Sequence, residues 1–334
     1  MKEITTVGLD LAKNVFQLHA VDAAGTVVVR RQVRRAQMLL FLSRLSPCLI
    51  GMEACAGAHY WARELAKFGH EVRLIPPSYV KPFVKRGKTD AADAEAICAA
   101  VTQPSMRFVP VKTAAQQAML MQHRTRDFLV RQLTQLANAI RAHMGEFGLV
   151  VPKGVHNMGR LVTEAEAADL PAEARMPLDL LVGQFTGTKA RIDAITADLR
   201  RSAEADDTAR RLQTVPGIGP ITASVLAATL PDVVAFRTAR DLPAWLGLTP
   251  KSHSSGGKER LGSISKMGNR YIRRLLYLGA MGVISARKRS DHGDDWLGRL
   301  IARKPVKVAA IALANRMARA VWAMLRTGEA WCAA

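Results

Sequence analysis

Four carboxylates and one serine-bearing loop hold the residue types in this chain that can do chemistry. Asp10 closes the short apolar run ITTVGLDLA, and Glu53 closes a second, CLIGME. Asp90 and Asp93 stand three apart in TDAADAEAICAA. They share a face if that segment is helical, and Thr89 is placed to cap it. Strand-end acids brought up to a helix-face pair make a hard-oxygen site that suits Mg²⁺ or Mn²⁺. A pair of such ions would polarise a phosphodiester and stabilise its attacking and leaving oxygens together. Taken alone, Asp90 and Asp93 also read as solvated first-turn acids favoured by the helix dipole.

The serine loop is Ser254-Ser255-Gly256-Gly257 in a Lys/Arg-rich stretch. A serine hydroxyl is a poor nucleophile until a base or a neighbouring charge activates it. Lys251, His253, Lys258, Arg260 and Lys266 supply charge for phosphate, although a solvated linker has the same composition. Upstream, Pro216-Gly217-Ile218-Gly219 precedes the apolar run ITASVLAATL. Glycines before a helix expose backbone N–H groups to phosphate, as in a helix–hairpin–helix motif. An ordinary helix–helix turn reads the same way. Near the end, Arg270, Arg273 and Arg274 in NRYIRRLLY read as phosphate contacts or as a solvated face. Tyr271 is a conceivable second nucleophile, but its Arg-flanked setting fits packing or phosphate contact better.

The first hundred residues must position the acids. ITTVGLDLA, VFQLHAVD and TVVVRRQV predict a three-strand meander with a turn at residues 22–25. A short helix near 36–45, the strand CLIGME, a helix near 57–68 and the strand EVRLIP follow. From about Ala114 the period becomes helical. Leu129, Leu133, Leu136, Ile140, His143 and Phe147 form one heptad-like stripe. Leu178, Leu181, Phe185, Thr188, Ile192, Ile195 and Leu199 form another. They predict either a bundle core or a dimerising helical hairpin. The fold class is therefore α/β plus all-α, in three parts: 1–110, a helical middle at 111–207, and a mainly helical 208–334 with the helix–hairpin–helix-like turn.

The chain has 334 residues, 48 Lys+Arg against 28 Asp+Glu, and 49% hydrophobic content. That content excludes a disordered chain. The three parts carry net charges of +6, zero and +14. A basic C-terminal third points to a polyanion, most simply nucleic acid. Cys48, Cys55, Cys98 and Cys332 lack metal-ligand spacing. The N-terminus lacks the apolar stretch of a signal peptide. The late apolar segment 306–325 is broken by Lys307, Arg316 and Arg319, so an amphipathic helix is expected there rather than a membrane span.

Together, GLDLAKN, GMEACAGAHYWA, KTDAADAEAI, VPGIGPITASVLAATL and LGLTPKSHSSGGKERLGSISKMGNRYIRRLL resemble, in this order, the transposases of the insertion-sequence 110 family, 1111 subgroup. Piv-type DNA invertases are relatives. The resemblance implies a RuvC-like (ribonuclease-H-like) domain and a separate transposase domain. It implies that Asp10, Glu53, Asp90 and Asp93 are the metal-binding tetrad, and that Ser255 is the nucleophile, with Ser254 as the adjacent competitor. It further implies a bridge RNA that pairs with donor and target DNA, a dimer or tetramer, and action in a bacterial cytoplasm. Two other functions fit the residues. One is a metal-dependent nuclease that cuts structured DNA by water attack. The other is a basic architectural protein whose acids are structural.

Overall fold

The structure, a computed structural model, describes residues 3–84, 87, 89–230, 233–253, 260–287 and 295–332. It divides into two compact units after Gln117.

In the first unit the predicted meander forms as β1 (Thr6–Asp10), β2 (Val15–Val21) and β3 (Val27–Arg34). Then come α1 (Met38–Leu42), β4 (Leu49–Glu53), α2 (Ala58–Ala66), β5 (Glu71–Ile75), α3 (Pro77–Val80) and α4 (Asp90–Val101). The sheet order is β3-β2-β1-β4-β5. β1 and β4 are parallel, so Asp10 and Glu53 finish at the same edge. One sheet face buries Leu9, Phe16, Leu18, Ile50 and Met52 against Leu42 of α1 and Trp61 and Leu65 of α2. Each such side chain contributes about 1.5–3 kcal/mol.

The other face is where α4 lies, and two glycines let it come close. Gly8 and Gly51 are register partners on β1 and β4. A Cβ on Gly8 would stand 2.2 Å from the Ala94 carbonyl oxygen and 2.5 Å from the Cys98 nitrogen. One on Gly51 would stand 2.7 Å from Val101 Cβ. The helix backbone therefore rests directly on the strands, and its first turn is carried to the edge where Asp10 lies. Thr89 starts α4 as expected, its hydroxyl accepting from the Ala92 N–H at 3.2 Å.

The second unit takes in most of α5 (Ala114–Gly145), then α6 (Met158–Ala167) and α7 (Ala172–Ala205). Leu133, Ile140, Leu178, Phe185 and Ile192 from the two stripes share one core with Met158, Leu161 and Ala165 of α6. His143 and Phe147, expected in the first stripe, are exposed; Met144 is buried instead. The chain turns back after α5, and α6 fills the seam. α7 begins at Ala172, ahead of Pro177, which sits inside the helix.

A second core joins α8 (Asp207–Leu212), α9 (Pro220–Thr229), α10 (Asp241–Trp245), α11 (Arg270–Arg287), α12 (Trp296–Arg303) and α13 (Val306–Thr327). A hairpin of β6 (Pro250–Ser252) and β7 (Leu261–Ile264) interrupts the helices. α13 is long and apolar enough to cross a membrane, with mean hydropathy 1.3. Its apolar side is occupied: Ala310, Ala314, Met317 and Val321 are buried in the core it shares with Leu276 and Ala280 of α11.

The Gly217 turn belongs to this packing. Gly217 has φ +90°, and a Cβ there would meet the Gly279 carbonyl oxygen of α11 at 2.9 Å. A Cβ on Gly279 would in turn stand 1.9 Å from the Gly217 oxygen. Gly219 has open space around it. Gly217→Val combines a left-handed backbone with overpacking and costs about 3 kcal/mol. We expect it to lower the melting temperature of the full chain by roughly 5–10 °C, while Gly219→Ala melts as wild type. Equal melting of both variants would remove the packing role of Gly217.

Candidate active site

The four acids converge within the first unit. Asp10 is half-buried, and its carboxyl is pushed up to about 6. Burial is the largest cause, followed by the negative charges of Asp93, Asp90 and Glu53. A hydrogen bond from the Leu11 N–H works in the opposite direction. Glu53 and Asp10 also raise the neighbouring Cys55 thiol, after burial. Residues 43 to 83 positions from Asp10 in sequence thus act on it through space. Each arrives by a route already described: Glu53 by the parallel pairing of β1 with β4, and Asp90 and Asp93 by the seat of α4 on Gly8.

Among the described residues, no three His, Cys, Asp or Glu side chains close to a group that could hold a metal ion. The donor set nonetheless fits a hard divalent cation. All four donors are carboxylates, and their mutual repulsion at Asp10 is what a cation would relieve.

In the second unit, Ser254, Ser255 and Lys258 lie outside the described residues. Their flanks are described, and they are not the linker that composition allowed. β6 pairs with β7 antiparallel, Ser252 opposite Leu261, and the His253 N–H donates to the Arg260 carbonyl at 2.8 Å. Lys251, Arg260, Lys266 and Arg270 are exposed. Arg273 is engaged internally, donating to the carbonyls of Leu246 and Met267 at 2.8 Å each. Arg274 pairs with Asp127 and lies over the Tyr271 ring.

Sequence reasoning missed a groove of about 1290 Å³ between β7 and α13. Lys266, Lys307, Arg316 and Arg319 line it, with Trp296 at one side. The signal was present as Lys307, Arg316 and Arg319, nine and three apart on an otherwise apolar helix.

Tyr271 is tied into a buried network. His123 Nδ1 lies 3.3 Å from the Tyr271 hydroxyl and Nε2 lies 3.0 Å from Ser224 Oγ. Ser224 Oγ donates to the Ile221 carbonyl, and Arg126 hydrogen-bonds to Tyr271. One assignment satisfies every group: Tyr271 donates to Nδ1 and Nε2–H donates to Ser224, with His123 neutral. Burial, then the Arg126 charge, push His123 down to about 4. The unfolded chain takes up this proton near 6.5 and the folded chain only near 4. His123 therefore withdraws stability as pH falls through that window, by about 2 kcal/mol between pH 7 and 5. Denaturant midpoints at the two pH values should differ less in His123→Gln than in wild type. An unchanged difference would refute the neutral assignment.

Residues 209–293 match the sequence model described as Transposase IS116/IS110/IS902 family, and residues 7–148 match one described as Transposase. The chain is 48% identical to a probable family 20 transposase of Pseudomonas aeruginosa, across 96% of this chain and 97% of that one. The chain belongs to the IS110 family of transposases. It is 40% identical to the transposase for insertion sequence element IS1328 of Yersinia enterocolitica, over 98% of each chain. It is 38% identical to that for IS1111A of Coxiella burnetii, over 99% of this chain and 92% of the relative. These place it in the 1111 subgroup. Family membership makes it an enzyme of DNA cleavage and rejoining.

Proposed function

We propose that this transposase exchanges DNA strands through a covalent phosphoserine intermediate at Ser255, guided by a bridge RNA. The observation that supports this reading most is the convergence of Glu53, Asp90 and Asp93 on Asp10. A half-buried acid pressed by three neighbouring carboxylates has no structural use comparable with holding a cation. In this reading residues 1–110 are a RuvC-like domain, 111–207 a helical spacer, and 208–334 carry the serine.

Ser255 Oγ attacks the scissile phosphorus. A P–O bond forms to serine as the bridging P–O bond breaks, and the departing strand leaves as a free hydroxyl carrying the proton that serine releases. A hydroxyl of the partner duplex then attacks the phosphoserine, restoring serine and the phosphodiester. One phosphoester bond is kept throughout, so no external energy source is required. Bound at Asp10, Glu53, Asp90 and Asp93, Mg²⁺ would supply charge stabilisation for the leaving oxygen. Lys251, Lys258, Arg260, Lys266 and Arg270 neutralise the backbone phosphates around the serine. The N–H groups of Gly219 and the start of α9 offer a further phosphate seat. Simultaneous cleavage of several strands calls for a dimer or tetramer. The buried stripes of α5 and α7 are used within the chain, so self-association through the middle must use another surface.

The test is to co-express the protein with its native flanking DNA, add end-labelled donor and target duplexes with Mg²⁺, and denature. A protease-sensitive, slow-migrating labelled band is expected. Cut DNA without such a band would replace this reading with water attack.

A further inference from the structure

A cavity of about 670 Å³ lies at the sheet edge of the first unit, lined by Asn14, Val15, Arg34, Arg35, Tyr60 and Trp61 among others. Topology fixes its position relative to the acids. Val15 pairs with Arg34, and the Arg35 N–H donates to the Asn14 carbonyl at 2.8 Å. Asp10 pairs with Gln17 on the intervening strand. The ends of β3 and β1 flank the start of β2, about 10 Å apart by ordinary strand spacing. α2, which carries Tyr60 and Trp61, begins just past Glu53. The cavity and the acids therefore share one edge.

Its lining has a definite chemistry. The Arg35 guanidinium lies 5.1 Å from the Trp61 ring centroid and 5.7 Å from that of Phe16. Trp61 is buried beneath it, whereas Tyr60, edge-on to Trp61 at 5.4 Å, is 44% exposed. Among the described residues no carboxylate pairs with Arg34 or Arg35. Two unneutralised guanidinium groups, a half-exposed phenol ring and the Asn14 amide suit a nucleotide with its base unpaired. The phosphate meets arginine, the base face meets tyrosine, and the amide is available to a base edge. Duplex DNA keeps its base faces stacked and cannot use Tyr60 this way.

We infer that this cavity is a stacking subsite for one unpaired nucleotide of a polynucleotide strand that passes within a few nucleotides of Asp10. The inference rests on the strand-exchange reading only for the identity of that strand. DNA opened near the scissile phosphate and an unpaired guide-RNA nucleotide share this chemistry.

Photocrosslinking with the full chain in EDTA tests it without any cleavage step, so it succeeds or fails independently of the covalent-adduct assay. The probes are single-stranded DNA and RNA dodecamers carrying 5-iododeoxyuridine or 5-iodouridine, and a blunt duplex of the DNA. Either single strand, or both, should crosslink to the peptide holding Tyr60 and Trp61, and the duplex should not. The reacting strand names the source. Tyr60→Ala should cut that crosslink by about tenfold, while Tyr60→Phe keeps it. Arg34 is exposed, so Arg34→Ala gives a second variant with little risk to folding, and it should also weaken the crosslink. Crosslinks confined to residues beyond 208, or an undiminished yield in Tyr60→Ala, would overturn the subsite.

Discussion

Ser255→Ala should eliminate the covalent protein–DNA species, and Ser254→Ala should retain it. The expected loss is about a thousandfold or more, because removing a nucleophile leaves only binding and electrostatic assistance behind. Tyr271 has its hydroxyl committed to His123, and burial raises its pKa. His253 adjoins the loop, but a phosphohistidine would be acid-labile, unlike a phosphoserine. Measured as adduct band intensity, loss in Ser254→Ala alone would move the nucleophile one position. Persistence of the band in both single variants would place the covalent bond on another side chain and refute Ser255 as the nucleophile, whereas cut DNA with no band in any lane would favour water attack. The pairing of β6 with β7 makes the comparison clean: both substitutions fall past the last described pair, His253 with Arg260, and leave the hairpin ladder intact.

The acids were legible in the sequence because each ends a strand or opens a helix, and local pattern reports such places well. Thr89 as cap and the Asp90/Asp93 spacing needed only helix geometry. What carried no sequence signal was the contact that brings them together. Gly8 and Gly51 look like ordinary strand glycines, and only the tertiary structure shows that α4 rests on them. The packing of Gly217 carried no sequence signal either. Its turn reads as a phosphate cradle, yet its Cα faces Gly279 of α11, which lies 62 residues away in sequence and has no local pattern linking the two. The helical middle shows the same limit. Heptad spacing named most of the buried positions of α7 but only Leu133 and Ile140 in α5, and not that α6 would close over them. Pro177 lies inside α7, near its N-terminal end, and the helix runs through it. The β6/β7 hairpin was hidden by its Ser/Gly/Lys composition, which local propensity assigns to loop.

Asp10→Asn should abolish DNA joining while leaving nucleic-acid binding within about twofold, since the basic residues of the second unit carry most of the phosphate contact. Its second effect separates a metal site from a structural acid. In wild type, Asp10 ionises at about 6 when folded and at 3.8 in an ordinary setting. The folded chain therefore holds its proton longer, and stability is withdrawn as pH rises from about 4 to 6. Above pH 6 the full penalty applies, because a charged Asp10 then faces Asp93, Asp90 and Glu53. Asparagine keeps the shape and removes that charge. In EDTA at pH 7.5 the variant should melt a few degrees higher than wild type. That corresponds to roughly 1 kcal/mol once solvent screening of this half-exposed carboxylate is allowed for. Below pH 4 the two should coincide. Adding Mg²⁺ at pH 7.5 should raise the wild-type melting temperature in a concentration-dependent way and move the variant far less. A variant less stable than wild type in EDTA, with joining and binding lost together, would make Asp10 a structural acid and withdraw the metal site.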